Sequence, residues 1–499
     1  MRSSFWTVIG GLVTRFLGVI GTLVLTRFVA PYDYGEVSAA TVLAMTANQF
    51  SSLGVGTYVI THPHAGRDVM FHATVVHVGL GLLAFAAVIL LGSELTPLVG
   101  APTAVRYLPG MVLAVTVERM SFVPERVLVR RMEFGTLTII RGGGEVAYTV
   151  VSLVLAALGW GGFAIVAGNL ARAVLRFVSL GLRVSWRDWV QPARLDPKIL
   201  RDIGVFGSWV FVGALAGFAI RRWDNLAVSF LFGPAVLGAY NLAYNLADIP
   251  AVQVGEQFSD VLQAAFARRG AADRKAAMLR SIPLLALIMV PLAVGLGMVG
   301  PVLARLFFDA RWASVGPMLL VLAVISFPRP ITHVVMGYLQ VKLQPRLAAL
   351  LDVVTLAILM AALFTVGRLG PLWACAAVGL TFIIRLPITA WVLRSVDNIP
   401  MRAFLLPIIP PAACALPLIG AVLATRAALA AAGVTNLIVQ LACEIVAGAV
   451  GYVVAALVIA RPVVSDLLGL LRGAFLKRPP PLPAGAGPAT EAVNKDMKP

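Results

Sequence analysis

Arginine residues occur inside long apolar stretches of this sequence, where charged side chains are unexpected. A guanidinium group stays charged at any working pH, and its forked donors hold a phosphate with two hydrogen bonds. If the stretches cross a bilayer, each arginine costs at least about 2.5 to 3.5 kcal/mol and usually contacts a water-filled cavity or a charged partner. We therefore expect an anion-binding site built from seven residues: Arg15, Arg172, Arg176, Arg221, Arg222, Arg329 and Arg385.

The positions of four of these arginines strengthen this interpretation. Arg15 lies about 15 Å along a helix from the start of its stretch, which is close to the bilayer midplane. Arg172 and Arg176 are four residues apart on one helix face, where two cations repel unless an anion lies between them. Arg329 stands between two prolines, which free backbone carbonyls as in the broken helices that line membrane cavities.

Fewer acidic residues lie in the same stretches, and we take them as candidates for charge pairs or for proton or sodium coupling. Asp224 either pairs with Arg221 or Arg222 or binds a coupling proton. The alternative for any single arginine is a structural ion pair, but their excess over acids predicts a net positive interior. The acidic candidates are Glu145, Asp224, Asp248, Glu256 and Glu444.

The composition shows that lipid surrounds most of the chain. Of its 499 residues, 60% are hydrophobic and only 13% are charged, whereas charged residues approach a quarter of a soluble domain. The net charge of +17 comes from short basic clusters between apolar stretches, which argues against nucleic-acid binding. The three cysteines lie inside apolar stretches without a paired motif, so we expect no metal site.

About fourteen apolar stretches are long enough to cross a bilayer as helices, so we predict an all-α polytopic membrane protein. Alternate loops are rich in arginine and lysine, which places both termini in the cytoplasm and the protein in a bacterial inner membrane. The predicted helices cover residues 5–29, 36–60, 71–92, 105–123, 138–158, 161–182, 204–231, 236–262, 281–304, 313–339, 347–366, 370–393, 403–425 and 434–459.

A repeat indicates how these helices are organised. Pro31 with Gly35 and Pro234 with Gly238 have the same spacing at the same turn, six predicted helices apart. Such an offset preserves orientation and predicts two pseudo-symmetric six-helix lobes around a central cavity. We expect an N-lobe at 1–200, a C-lobe at 201–400, two further helices at 401–460 and a disordered cytoplasmic tail at 461–499. A basic stretch between the fourth and fifth helices is either an amphipathic helix on the inner leaflet or an ordinary loop.

Three stretches resemble the polysaccharide transporter branch of the multidrug, oligosaccharidyl-lipid and polysaccharide exporter superfamily, which includes Wzx-type flippases. They are Leu25–Ala40, Phe122–Phe134 and Arg221–Pro250. The resemblance implies alternating access to a cationic cavity that carries an undecaprenyl-pyrophosphate-linked oligosaccharide, such as an O-antigen, capsule or exopolysaccharide repeat unit. It also implies membrane lipid as a partner, and a polysaccharide polymerase and glycosyltransferases as candidate partners. Energy would come from a proton or sodium gradient or the membrane potential, without a bound cofactor.

Three alternative functions remain open from the sequence. A lipid II flippase would also carry pyrophosphate, whereas a drug or cation antiporter would be expected to have an acidic cavity. An integral-membrane polymerase or ligase needs a substantial outer loop with acid–base residues, and the outer loops here are short. We therefore predict no enzymatic activity and no catalytic residues.

Overall fold

The regular secondary structure in the described part of the chain is helical. The computed structural model describes residues 18, 20–52, 55, 67–192, 194–251, 255, 258, 262, 270–323, 327–342 and 344–476. The α-helices are α1 (Pro31–Phe50), α2 (Arg67–Leu90), α3 (Gly92–Leu98), α4 (Leu108–Met120), α5 (Phe122–Arg130), α6 (Phe134–Ala157), α7 (Gly162–Arg183), α8 (Pro197–Phe232), α9 (Pro234–Pro250), α10 (Ala271–Phe307), α11 (Val315–Leu322), α12 (Pro328–Val341), α13 (Pro345–Thr365), α14 (Pro371–Asp397), α15 (Met401–Leu405), α16 (Ile409–Ala413), α17 (Ala415–Ala431), α18 (Leu437–Ile459) and α19 (Arg461–Leu476).

This pattern confirms the prediction of an all-α polytopic membrane protein. Eight helices of the described part are long and apolar enough to cross a membrane. Each predicted membrane helix from the second onward contains an observed helix. The first predicted helix, with Arg15, lies outside the described residues except for its C-terminal end, where residues 20–25 are helical.

Two predicted membrane helices are broken in the structure. The tenth consists of α11 and α12, and Pro328 and Arg329 stand at the start of α12. The thirteenth consists of α15, α16 and α17, with a 3₁₀ turn at residues 406–408. Prolines explain these breaks because they lack an N–H donor and fit best in the first turn of a helix.

Two amphipathic helices lie beside the membrane helices. Helix α5 occupies the basic stretch for which the sequence left a helix or a loop open. Helix α19 differs from the prediction of a disordered tail, because residues 461–476 are helical. Apolar side chains of α19, including Val464 and Leu467, pack against a buried cluster that involves α10, α17 and α18. Apolar burial of this kind stabilises a helix. The residues that follow α19 have too few apolar side chains to provide it.

Two of the buried hydrophobic clusters belong mainly to two different groups of helices. Helices α1, α2, α4, α6 and α7 pack together, and their core includes Val37, Tyr107 and Ile165. Helices α8, α9, α11, α13 and α14 contribute to the second core, which includes Tyr240 and Trp312. Helices α17 and α18 pack mainly on each other and on α10.

The two Pro–Gly repeats contact each other directly. Proline stands at the first position of both α1 and α9, and the two helices cross near their N-terminal ends. A Cβ atom on Gly35 would lie 1.8 Å from the carbonyl oxygen of Pro234, and one on Gly238 would lie 2.0 Å from that of Pro31. Only glycine permits this approach of two backbones. The contact is reciprocal, as a pseudo-two-fold relation between the repeats requires.

The lobes also meet at both ends of α1. Near its start, the Trp312 indole donates a hydrogen bond to the Thr26 carbonyl oxygen at 3.0 Å, and its ring lies edge-on to Tyr34. At the other end, the Phe50 ring lies 6.4 Å from the rings of both Phe211 and Trp223. The two lobes are therefore in contact at both ends of this helix.

Candidate functional site

The first charged cluster lies between α6 and α7, in the first lobe. A Glu145 carboxylate oxygen accepts a hydrogen bond from Arg176 Nη2 at 2.9 Å and lies 3.6 Å from Arg172 Nη1. Arg176 also pairs with Glu118 of α4 at 3.3 Å, and Arg172 lies over the Tyr148 ring. Glu145 thus occupies the place between the two cations where we expected an anion. The side chains of Arg172 and Arg176 keep 23% and 18% exposure.

A glycine gives these arginines their space. A Cβ atom on Gly144 would lie 2.8 Å from Arg176 Nε and 3.2 Å from Arg172 Cγ. Gly144 belongs to the sequence RGGGE at 141–145. Two further glycines and this close contact therefore come directly before Glu145. The three consecutive glycines are the sequence signal that marks this close approach.

The second cluster lies in the other lobe and includes Arg329. Its Nη1 donates to Asp248 of α9 at 2.5 Å, and the guanidinium lies over the rings of Tyr244 and Phe382. Arg329 is only 7% exposed. Its position at the start of α12 therefore places a largely buried cation against a carboxylate and two aromatic faces.

Arg385 of α14 has the same kind of partner. Its Nη2 donates to Asp352 of α13 at 2.6 Å, and Arg385 is 5% exposed. For Arg172, Arg176, Arg329 and Arg385, the structural ion pair that we considered as the alternative is what the structure contains. Among the described residues, each of these four cations therefore has an acidic partner.

Asp224 has other donors than the arginines that we expected. It is fully buried and accepts hydrogen bonds from the Tyr240 hydroxyl at 2.6 Å and from the backbone and side-chain nitrogens of Asn225. Asn225 continues this network, because its side-chain oxygen accepts from Asn241, which in turn accepts from Asn245. Neutral polar groups of α8 and α9 therefore surround this carboxylate.

The remaining candidates separate into three groups. Arg222 is partly buried and lies within electrostatic range of Asp224 and of Tyr34 on α1, whereas Arg221 is exposed. Glu444 is fully buried and receives two hydrogen bonds from Arg426, so this pair joins α17 and α18 away from both charged clusters. Arg15 and Glu256 lie outside the described residues.

Sequence reasoning missed the buried Arg119. It is 4% exposed and donates to the carbonyl oxygens of His77, Asn48 and Ser51 at 2.5, 3.0 and 2.7 Å. Two of these oxygens belong to the C-terminal end of α1, where a cation is favourable. Arg119 therefore joins α1, α2 and α4. Its burial was not predicted from the sequence because the residue lies near a predicted loop.

Sequence reasoning also missed Glu36 of α1. Its side chain is fully buried, and neither carboxylate oxygen has a hydrogen-bond partner. Among the buried acids of the described part, Asp224 and Glu444 are both hydrogen-bonded, so Glu36 stands apart from them.

Two groups of helices with charged clusters between their helices define a polytopic α-helical membrane fold, and comparisons with solved structures agree. The lipid II flippase MurJ, in an inward closed conformation, superposes on 92% of this chain and 99% of its own with a TM-score of 0.72 at 13% identity. An inward-facing multidrug resistance MATE transporter covers 78% of this chain and 99% of its own, with a TM-score of 0.58 at 16% identity.

The sequence comparisons identify the family. A family model described as polysaccharide biosynthesis protein matches residues 24–317, and the chain belongs to this family. The lipopolysaccharide biosynthesis protein WzxC of Escherichia coli is 22% identical over 68% of this chain and 69% of its own. The succinoglycan biosynthesis transport protein ExoT of Rhizobium meliloti is 24% identical over 64% of this chain and 65% of its own. The resemblance inferred from the sequence is thereby confirmed.

Proposed function

We propose that this protein carries an anionic lipid-linked oligosaccharide, of the undecaprenyl-pyrophosphate type, across the bacterial inner membrane. Family membership supports this function, and the names of two relatives concern lipopolysaccharide biosynthesis and succinoglycan transport. The short outer loops and the absence of a phosphate-binding loop in the sequence favour a carrier over a polymerase or an ATP-driven pump.

One observation carries the proposal: buried arginines in both lobes, each held by a carboxylate. Such a carboxylate keeps the guanidinium neutralised while the carrier is empty. A pyrophosphate offers more charge and more acceptor oxygens than one carboxylate, and it matches the donor geometry of arginine. Arg172 and Arg176 are best placed for this exchange because Glu145 serves both and all three side chains remain partly exposed.

The orientation follows from the distribution of basic residues. Basic loops remain on the cytoplasmic side, which places both termini in the cytoplasm and the start of α1 on the outer side. The sugars and pyrophosphate would pass between the lobes, and the lipid chain would stay in the bilayer. Single cysteines introduced into these loops, labelled from either side of intact cells, test this orientation.

Flipping of defined lipid-linked sugars by the purified protein in vesicles tests the function. We expect the double variant Arg172→Ala and Arg176→Ala to reduce flipping at least tenfold with normal membrane insertion. Arg280→Ala is the matched control, because Arg280 also pairs with an acid but is 54% exposed. Equal flipping by wild type and the double variant would contradict the proposed site. Preference for lipid II over an oligosaccharide carrier would assign the cargo to the lipid II alternative.

A further inference from the structure

The Tyr244 side chain on α9 carries a buried hydroxyl that has no hydrogen-bond partner among the described residues. Tyr244 is 4% exposed, and its oxygen neither donates to nor accepts from another group. A buried hydroxyl without a partner is costly, so an isolated case requires an explanation. A ligand that binds beside Tyr244 during transport would provide the missing partner.

Charged groups surround Tyr244 without using its hydroxyl. The Arg329 guanidinium lies 5.7 Å from the centre of the Tyr244 ring. Asp224 and Asp248 lie within electrostatic range of Tyr244. However, Asp248 already binds Arg329, and Asp224 accepts a hydrogen bond from Tyr240. The Tyr244 hydroxyl is therefore not needed to hold these charges.

Arg222 of α8 provides a cation close to this tyrosine and to the other lobe. It lies within electrostatic range of Tyr244 and of Tyr34 on α1. It forms no ion pair with another described residue. Tyr34 packs against the buried clusters of both lobes. An anion bound to Arg222 would therefore have tyrosine side chains of both lobes in its neighbourhood.

The first lobe contains a similar pair of a tyrosine and an arginine. The Arg172 guanidinium lies 5.3 Å from the centre of the Tyr148 ring on α6, much as Arg329 lies over Tyr244. Tyr34 also lies within electrostatic range of Tyr148. Tyrosine rings therefore accompany the cations of both lobes.

Asn245 adds a carboxamide to this group. The residues from Leu237 to Ala247 on α9 are buried with the single exception of Asn245, which is exposed. Asn245 lies close to Tyr34 of the other lobe, and its side-chain nitrogen donates to Asn241 at 2.7 Å. The exposure shows that water reaches α9 at this position.

Uncharged groups of this kind suit a sugar better than a phosphate. A guanidinium group only donates hydrogen bonds, whereas a phenol and a carboxamide both donate and accept, as a sugar hydroxyl does. The faces of tyrosine rings also offer apolar surface to the C–H groups of a pyranose. The arginines already supply the charge that a pyrophosphate requires. A sugar linked to a pyrophosphate at Arg222 would therefore contact groups that match its own chemistry.

We propose that Tyr244, Tyr34 and Asn245 form the subsite for the first sugar of the cargo, the one linked directly to the pyrophosphate. The Tyr244 hydroxyl binds a hydroxyl of this sugar, so the subsite selects the cargo by its hydroxyl pattern. Because Tyr244 is buried in this arrangement of the lobes, the sugar reaches it only when the lobes separate. This inference rests on the proposed carrier function and names residues that determine its specificity.

Binding of short lipid probes to the purified protein in detergent tests the subsite. The probes are farnesyl pyrophosphate and its conjugates with glucose, galactose or N-acetylglucosamine. We expect one conjugate to bind wild type at least about tenfold more tightly than the sugar-free probe, because several hydrogen bonds form. Tyr244→Phe should lose about two- to tenfold of this gain, which corresponds to one neutral hydrogen bond, and should bind the sugar-free probe as wild type does. An unchanged gain in Tyr244→Phe would overturn the proposal.

Tyr452→Phe is the matched control, and thermal unfolding separates a ligand role from a structural one. Tyr452 is also 4% exposed, but its hydroxyl donates to the Leu287 carbonyl oxygen at 3.0 Å. We expect Tyr452→Phe to unfold at a lower temperature than wild type and to keep the gain from the sugar. Tyr244→Phe should be at least as stable as wild type, because no hydrogen bond is lost. A clear loss of stability in Tyr244→Phe would show a structural role and overturn the proposal.

Flipping of the same sugars on undecaprenyl pyrophosphate distinguishes this subsite from the carrier function. If wild type binds one conjugate preferentially but flips no lipid-linked sugar, the carrier function fails and the subsite stands. If wild type flips these lipids but binds every probe equally, the subsite fails and the carrier function stands.

Discussion

Arg329 and Asp248 illustrate what the sequence could and could not provide at the scale of residues. Their residue types and their positions inside predicted membrane helices indicated that both belong to a charged interior. Their pairing joins positions 81 residues apart in the chain, and no local spacing predicts such a partner. Glu145 was easier to place in principle, because α6 and α7 are consecutive helices joined by a short turn. Glu36 escaped attention because an acid near a helix start usually faces solvent.

The Arg329–Asp248 pair permits a test that separates stability from transport. Arg329→Ala leaves Asp248 without its cation, and breaking a buried pair costs about 3 to 5 kcal/mol in the free energy of unfolding. We expect Asp248→Asn in the same chain to restore much of that loss, but not flipping. Thermal unfolding in detergent and flipping in vesicles are the two measurements. Recovery of flipping together with stability would reduce this pair to a structural role.

At the scale of elements, the apolar stretches predicted the helices because length and hydropathy decide what a bilayer accepts. The breaks in the tenth and thirteenth membrane helices also follow from proline positions. The helix α19 was missed because the composition rich in proline, glycine and alanine that predicted a disordered tail begins only beyond residue 476. Its apolar face becomes informative only once α10 and α18 provide a surface.

Attachment of α19 is expected to depend on pH through one ion pair. Arg280 Nε donates to Asp466 at 2.8 Å, and this hydrogen bond holds the pKa of the Asp466 carboxyl below its ordinary range. The pair therefore contributes fully above the ordinary pKa of an aspartate and is lost as the pH falls through the lowered value. Because the pair is exposed, its contribution is below about 1 kcal/mol. We expect the backbone amides of α19 to exchange faster at low pH in wild type. In Asp466→Asn, their exchange rate should not respond to this change of pH through the ion pair.

The crossing of α1 and α9 gives a second prediction for elements. Gly35→Ala places a methyl group within the backbone of α9, so we expect a loss of about 1 to 3 kcal/mol in the free energy of unfolding. Gly79→Ala on α2 is the control because nothing lies within 4 Å of the added atom and alanine favours the helix. Thermal unfolding of both variants provides the comparison. Equal unfolding midpoints for the two variants would show that α1 and α9 can move apart without loss of stability.

At the scale of the whole molecule, the two ends of α1 differ in how the lobes meet. The start of α1 approaches α9 through backbone atoms and is flanked by the hydrogen bond from Trp312 to Thr26. The other end has aromatic contacts between Phe50, Phe211 and Trp223. An aromatic pair contributes about 0.5 to 1.5 kcal/mol beyond its buried area, whereas the backbones at Gly35 and Gly238 approach so closely that no Cβ atom fits. We therefore expect the end at Phe50 to open first, which is the predicted cytoplasmic end.

A reversible cross-link at that end tests the motion. Cysteines replace Phe50 and Phe211 in a chain whose native cysteines, Cys375, Cys414 and Cys443, have been removed. A short bifunctional thiol reagent should then stop flipping, and cleavage of the linker should restore it. The matched control joins positions 230 and 364, whose phenylalanine rings lie 6.1 Å apart on α8 and α13 of one lobe. This control should leave flipping unchanged, since it connects helices that move together. Flipping that continues with positions 50 and 211 fully cross-linked would exclude separation of the lobes at this end as a step of transport.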